Sequence, residues 1–152
     1  MSDTSVNKYV LPITRAKLFG IDRTSSPAHI GELENAVDLL APNGTPVLAA
    51  ADGVVTFVNT SSTLGGADIS YWNYSNFIVI MHDNYEYTRY DHLEHGSSKV
   101  IVGQQVSAGE EIARTGMTGY TYTPHLHFQV FELYGPNVWS DYKTLRVQFS
   151  EL

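Results

Sequence analysis

Two histidines separated by one leucine begin a strand-like run, "HLHFQVFEL", at residues 125–133. Side chains two positions apart in a strand point to the same face, roughly 7 Å from each other. His125 and His127 should therefore project together, while Leu126 and Phe128 face the other side. Two imidazoles on one face suit a metal ion, proton transfer, or both. Spacing alone does not decide between these roles, because both rings of such a pair can bind one zinc ion.

A metal site here needs further ligands, and the chain has no cysteine to supply a thiolate. A catalytic zinc site takes about three nitrogen or oxygen ligands and keeps one position open for water. The best carboxylate candidate is Asp38, in "ENAVDLLAPNGTPV". An acid among Ala, Val and Leu costs free energy unless it is paired or bound to a metal. A turn-capping role ahead of Pro42 fits the local sequence equally well.

Isolated histidines are more often structural than metal-binding, and two of the six histidines are interpreted in this way. His82 ends a predicted strand beside a turn, where we expect it to bond to backbone. His95 lies in the polar turn "LEHGSS".

Strand signals dominate the chain, which is rich in Val, Ile, Tyr, Phe and Thr between Gly, Asn, Asp and Pro. Asp83-Asn84 is typical of a hairpin turn. No window of 11 residues has a helical period, although one short helix fits at 35–40 or 93–96. The sequence predicts an all-β, single-domain fold. The predicted strands are 45–59, 75–82, 85–93, 99–103, 110–116, 125–133 and 144–149.

Two stretches are predicted to be loops. Residues 60–75 carry Tyr71, Trp72 and Tyr74, and residues 116–124 carry Tyr120 and Tyr122 just before the histidine pair. Long loops in a compact domain are often functional. Aromatic residues close to a candidate site strengthen that interpretation.

Composition limits the class of protein. The chain has 152 residues, of which 43% are hydrophobic and 16% charged, as expected for one soluble globular domain. A net charge of −7 argues against a nucleic-acid partner and against simple adhesion to anionic membranes or wall polymers. No apolar run approaches the ~20 residues of a membrane span. The N-terminus has no signal pattern, so we expect a chain that stays in the cell, leaves by another route, or has lost its signal.

Four motifs follow one another along the chain: "AVDLLAPNGTPVLAAADGVVTFV", "YTRYDHL", "VIVGQQVSAGEEIARTGMTG" and "PHLHFQV". Together they resemble the lysostaphin-type zinc metallopeptidases of peptidase family M23. The resemblance runs from about His29 to Glu132. It implies twisted antiparallel sheets of the barrel-sandwich-hybrid type, with a groove that holds one Zn²⁺ per chain. It also implies a metallopeptidase domain at 29–152, preceded by an extension at 1–28 that packs on the domain or leads into it.

The resemblance also assigns roles to single residues. Asp38 and His127 correspond to two zinc ligands. His125 and His92, the latter from "YDHL", correspond to the catalytic pair, although the division of labour between them stays open. His82 corresponds to a recurring histidine that is interpreted as structural.

The first zinc ligand departs from the commonest family pattern, H-x-G-x-D, which places a histidine four residues before the aspartate. Glu34 occupies that position here. A variant pattern has "S-H-x-G" and later "Y-A-x-D", and "AHIGELENAVD" fits it with His29 nine residues before Asp38. His29 is the preferred ligand because imidazole nitrogen is the better-matched zinc donor, but a glutamate ligand is chemically sound.

The implied function is a zinc metalloendopeptidase that hydrolyses peptidoglycan cross-bridges or stem peptides, next to glycine or D-alanine. Tyr120, Tyr122, Tyr71, Trp72 and Tyr74 would line the groove around an extended peptide rich in Gly and Ala. The alternative is that these rings only cover the ends of the sheet. We expect a monomer, and family members are usually secreted, periplasmic or associated with the cell wall.

Two other classes of function are alternatives. A non-catalytic module on the same fold would bind peptidoglycan or a protein partner, but degenerate members usually lack some of the key side chains. A biotinyl or lipoyl carrier has similar hairpins. That function needs a lysine at the exposed tip, where this chain has "TGMTG".

Overall fold

The computed structural model describes residues 4–23 and 35–150, and these ranges are almost entirely strand and connecting turn. Single 3₁₀ turns lie at Arg15–Lys17, Ile69–Tyr74 and Asp83–Tyr85. The strands are β1 (Thr4–Tyr9), β2 (Gly20–Asp22), β3 (Val37–Leu40), β4 (Pro46–Leu48), β5 (Gly53–Asn59), β6 (Gly65–Gly66), β7 (Phe77–Met81), β8 (Tyr87–Asp91), β9 (Gln105–Val106), β10 (Glu111–Arg114), β11 (Gly119–Tyr120), β12 (His125–Leu133) and β13 (Tyr142–Phe149).

One nine-stranded sheet forms the body of the protein. Its order is β1-β13-β12-β8-β7-β5-β9, with β3 also beside β12 and β2 beside β3. Strands β4 and β10 form one small sheet, and β6 and β11 form another. Pairing is antiparallel except for β1 with β13 and β6 with β11. The predicted all-β fold is confirmed. In the described part of the chain, no helix has the length and apolar character to cross a membrane.

The two faces of β12 explain why this strand is central. Leu126, Phe128 and Val130 are fully buried in the hydrophobic core, where each such side chain contributes roughly 1.5–3 kcal/mol. The alternate residues, including His125 and His127, face the opposite side of the sheet. Alternation along one strand therefore separates the residues that hold the fold from those available for chemistry.

Several predicted boundaries were wrong for identifiable reasons. Residues 45–59 form two strands, because the chain turns between β4 and β5. The run at 99–103 is a turn with Ile101 and Val102 exposed, although its β-branched residues are typical of a strand. Neither short helix forms: 93–96 is a turn, and 35–40 contains β3, which pairs with β12.

The first described residues belong to the main sheet. β1 pairs with β13, and β2 pairs with β3. The buried carboxylate of Glu86 accepts hydrogen bonds from the backbone N–H groups of Val6 and Asn7 and from the Tyr9 hydroxyl. Much of the predicted N-terminal extension is therefore built into the sheet.

Candidate active site

Strand pairing brings the predicted carboxylate to the histidine pair. β3 runs antiparallel to β12, with Asp38 directly opposite His127. Asp38 Oδ1 lies 3.3 Å from His127 Nδ1 and 3.6 Å from His125 Nε2. All three side chains are largely buried. A sequence separation of almost 90 residues is thus closed by one pair of neighbouring strands.

His92 completes the cluster from the end of β8. Its ring centroid lies 4.9 Å from that of His125 and 6.0 Å from that of His127. Its backbone has a φ of 67°, which is uncommon for a residue other than glycine and often marks a functional site. Its backbone N–H donates to Ser75 Oγ at 3.0 Å, which stabilises this turn. Three imidazoles and one carboxylate therefore meet at the same place.

Backbone carbonyl groups fix the tautomers of two of these rings. His92 Nδ1 donates to the carbonyl oxygen of Thr118 at 2.7 Å, and His125 Nδ1 donates to that of Thr123 at 2.7 Å. A carbonyl oxygen can only accept, so each Nδ1 must carry the hydrogen. In the neutral state each ring then has a lone pair at Nε2 that can accept a proton.

His127 is oriented the other way round. Its Nε2 donates to Gln129 Oε1 at 3.0 Å, so in the neutral ring Nδ1 is the acceptor that faces Asp38. His125 Nε2 is a second acceptor near the same carboxylate oxygen. Acceptors that face each other require a proton or a cation between them. Two ligands about 2.1 Å from a tetrahedral zinc ion lie about 3.4 Å apart. The 3.3 Å between Asp38 Oδ1 and His127 Nδ1 therefore suits two ligands of one metal ion.

The set of ligands is incomplete within the described ranges. Residues 4–23 and 35–150 contain no group of three His, Cys, Asp or Glu side chains placed to hold a metal ion. Both candidates for the first ligand, His29 and Glu34, lie outside the described residues. Their assignment stays a prediction.

The pKa values of two of the histidines shift in opposite directions. Burial lowers the pKa of His92 to about 4, despite the nearby negative charge of Asp91. Burial also disfavours the charged form of His127, but the hydrogen bond to Asp38 and the charges of Asp91 and Asp38 outweigh it and raise its pKa. At neutral pH His92 is uncharged, whereas His127 is positioned to share a proton or cation with Asp38.

Asp91 and Gln129 are site residues that the sequence analysis missed. Asp91 lies opposite His127 on β8, and Arg89 Nε and Nη2 donate to its two oxygens at 2.7 and 3.1 Å. Burial favours the neutral acid, but Arg89 outweighs this effect and lowers the pKa of Asp91. Asp91 also accepts a hydrogen bond from Ser75. Alternation was an available signal for Gln129, which lies two positions after His127 on the same strand, whereas Asp91 is brought opposite His127 only by the pairing of β8 with β12.

Asn76 joins the loops that surround the cluster. Its backbone N–H donates to Thr118 Oγ1 at 3.0 Å, and its side-chain amide donates to the carbonyl oxygens of Ser62 and Leu93. Gly119 has a φ of 81°, and a Cβ there would lie 2.6 Å from that of Ser75. These contacts hold the Thr118 carbonyl that orients His92.

A groove of about 320 Å³ opens beside His92 and His127. Trp72 and Tyr120 line it, and their ring centroids are 6.1 Å apart. Tyr122 is exposed and hydrogen-bonds to the Tyr120 hydroxyl. Three of the predicted lining residues lie outside this lining: Tyr71, Tyr74 and Tyr122. Three aromatic residues of the lining were missed: Phe77, Trp139 and Tyr142.

The two other histidines in the described part of the chain lie outside the cluster. The ring of His82 is buried, with Nδ1 bonded to the Asp52 carbonyl and Nε2 to Thr88 Oγ1, both at 2.7 Å. This backbone contact agrees with its structural interpretation. His95 is exposed on a turn.

Comparison with known proteins identifies the family. The sequence model of peptidase family M23 matches residues 32–138, which is more than half of the chain. The chain belongs to peptidase family M23. The match covers Asp38, His92, His125 and His127, so the clustered side chains fall within the family region.

Relatives and solved structures agree with this membership. The chain is 39% identical over 98 residues to the peptidoglycan DD-endopeptidase ShyA of Vibrio cholerae, covering 63% of this chain and 20% of that protein. A zinc-containing peptidase from Vibrio cholerae matches with a TM-score of 0.59 and 31% identity, over 82% of this chain and 36% of that one. The catalytic domain of lysostaphin from Staphylococcus simulans matches with a TM-score of 0.54 and 31% identity. That match covers 72% of this chain and 74% of the lysostaphin domain. This chain spans about a fifth of the length of its curated relative.

Proposed function

We propose that this chain is a zinc metalloendopeptidase that hydrolyses peptide bonds in peptidoglycan cross-bridges or stem peptides. The observation that carries the proposal is the convergence of Asp38 Oδ1 with one ring nitrogen from each of His125 and His127, at 3.6 and 3.3 Å. Asp38 Oδ1 and His127 Nδ1 are the pair suited to a cation, and His125 Nε2 lies beside them as a proton acceptor. Membership in a peptidase family supports hydrolysis as the reaction.

Asp38 and His127 would hold the zinc ion, with His29 as the preferred third ligand. When bound, zinc would supply a Lewis acid and would lower the pKa of a water molecule towards neutrality. Gln129 acts on His127 by accepting its Nε2–H, which leaves Nδ1 as the ligand atom.

His125 is placed to move the proton. Its Nδ1–H is held by the Thr123 carbonyl, so Nε2 can accept a proton from the attacking water and later give it to the leaving amine. The neutral form of His92 also presents an acceptor at Nε2. Nε2 orients the water by accepting a hydrogen bond from it. His92 can donate a hydrogen bond to an oxyanion only after this nitrogen has gained a proton.

The groove supports an extended peptide as the substrate. The rings of Trp72 and Tyr120 form one wall, and Trp139 and Tyr142 contribute to the lining as well. A chain of small residues can lie between aromatic walls with its backbone close to the histidines. The DD-endopeptidase name of a relative supports peptidoglycan as the source of that peptide.

The test is to supply the purified chain with Zn²⁺ and incubate it with peptidoglycan and with pentaglycine. Fragments are identified by mass spectrometry, and bound zinc is measured by elemental analysis. We expect close to one zinc per chain and cleavage that a chelator abolishes. His125→Ala should lose cleavage and keep zinc, whereas Asp38→Ala or His127→Ala should lose both. His95→Ala is the matched control, because that exposed histidine lies outside the cluster.

Absence of cleavage by the zinc-loaded chain would overturn the peptidase proposal. Binding to peptidoglycan without any fragments would instead favour a non-catalytic module. Full zinc content in both Asp38→Ala and His127→Ala would show that the ligands have been assigned wrongly.

A further inference from the structure

A second cavity continues from the groove along the same face of the sheet. It also measures about 320 Å³, and it shares Arg89, Gln129, Trp139 and Tyr142 with the groove. Most of its remaining wall is apolar. We call it the aromatic pocket, and the side chains that define it are Phe57, Val79, Tyr87, Phe131, Leu133 and Trp139.

Trp139 lies in the loop between β12 and β13, which is held by internal hydrogen bonds. Asn137 Oδ1 accepts from the Trp139 backbone N–H at 2.9 Å, and Asp141 Oδ2 accepts from the Asn137 N–H at 3.1 Å. The indole packs edge-on against Phe57 and Phe77, with centroids 5.1 and 5.9 Å away, yet the residue is 54% exposed. A tryptophan that is fixed by ring contacts on one side and exposed on the other is typical of a binding anchor.

Position and charge limit what could occupy the pocket. Phe131 is four residues after His127 on β12, which places it ~14 Å along the strand, the reach of about four extended peptide residues. Arg89 is the one charged side chain among the described lining residues, and it is paired with Asp91. The pocket therefore suits a neutral group with a flat apolar face, some distance from the reacting bond.

We propose that the aromatic pocket binds a sugar ring of the glycan strand to which the cleaved peptide is attached. This inference rests on the proposed peptidoglycan substrate. The peptides of that polymer carry mostly small or charged side chains, which would leave an aromatic pocket poorly filled. An N-acetylated amino sugar is neutral, its C–H face packs against aromatic rings, and its amide and hydroxyl groups match donors and acceptors such as those of Gln129 and Tyr142.

The family match ends at residue 138, so Trp139 and Tyr142 lie beyond it. This wall of the pocket belongs to a part of the chain that the family model does not describe. Membership in the family therefore does not by itself assign a role to these two residues.

The experiment compares two soluble substrates with the zinc-supplied full chain: cross-linked peptides that carry their disaccharides, and the same peptides after enzymatic removal of the sugars. We expect kcat/KM to be about tenfold higher with the sugars present, mainly through a lower KM. Trp139→Ala should remove this difference; because Trp139 also lines the groove, the readout is the ratio of kcat/KM between the two substrates and not the rate on either one. Tyr85→Ala is the control, because Tyr85 is exposed and lines neither cavity.

Each outcome has one meaning. Equal kcat/KM for both substrates in the native chain overturns the sugar pocket and leaves the peptidase proposal standing. A preference that survives in Trp139→Ala also overturns it. If neither substrate is cleaved, the proposed function fails and this inference fails with it. Circular dichroism and Trp139→Phe, which keeps an aromatic ring, separate loss of the ring from loss of the fold; if Phe fails to restore part of the preference, the stacking argument is wrong.

Discussion

Replacing His92 by glutamine should make the metal-free protein less sensitive to acid. In the unfolded chain this histidine titrates near its ordinary pKa of 6.5, whereas in the folded protein burial lowers its pKa to about 4. Between these pH values the unfolded chain binds a proton that the folded chain does not. The free energy of unfolding therefore falls as the pH drops through this window.

The magnitude follows from the shift. Each pH unit below 6.5 costs about 1.36 kcal/mol, so at pH 5 the contribution of His92 is a loss of ~2 kcal/mol relative to neutral pH. Glutamine does not titrate and keeps a side-chain N–H that can donate to the Thr118 carbonyl. His127 shifts in the opposite direction, but both proteins contain it, so its effect cancels to first order in the comparison.

The assay is urea unfolding of both proteins in chelator at pH 7.5 and pH 5.0. The native chain should lose ~2 kcal/mol more than His92→Gln between the two pH values. Stabilities that change equally with pH would refute the reasoning, since they would mean that His92 titrates alike in the folded and unfolded states.

Substitutions at three further residues probe other parts of the site and the sheet. Gln129→Leu should weaken zinc binding about 10- to 100-fold in a chelator competition, because Nε2 of His127 loses its acceptor, while Gln129→Glu should bind zinc almost normally. Gly119→Ala should cost about 2 kcal/mol or more in urea unfolding, since its φ is positive and the new Cβ would lie 2.6 Å from that of Ser75; no measurable loss would contradict the close contact. Glu86→Ala should cost about 3 kcal/mol and increase amide hydrogen exchange in β1, because three hydrogen-bond donors lose their acceptor.

The local sequence pattern was sufficient to predict a strand where inward-facing and outward-facing residues alternate along its whole length. β12 occupies the predicted range 125–133, and the β7–β8 hairpin turns at Asp83–Tyr85, where Asn84 adopts a positive φ. The same reasoning failed at 35–40, a short stretch that also fitted a helix. Its conformation is set by pairing with β12 on one side and β2 on the other, and neither partner can be read from the stretch itself.

Some residues of the candidate site were likewise predicted from the sequence, and others were found only in the structure. The spacing of the histidine pair predicted that both rings share a face. Local sequence made Asp38 the best carboxylate candidate, and the resemblance to a family added His92 and a ligand role for Asp38. Neither source predicted the Arg89–Asp91 ion pair beneath His127, nor the aromatic wall at Trp139. Those residues acquire a role only through neighbours on other strands.

By itself the sequence determined which side chains are chemically able to form the site and which face of β12 carries them, because strand alternation is a property of consecutive residues. Only the tertiary structure decided which nitrogen of each imidazole is presented and what stands opposite it. Tautomer, pKa and ligand distance depend on the carbonyl of Thr118, the amide of Gln129 and the carboxylate of Asp38, which strand pairing and loop contacts bring from separate parts of the chain.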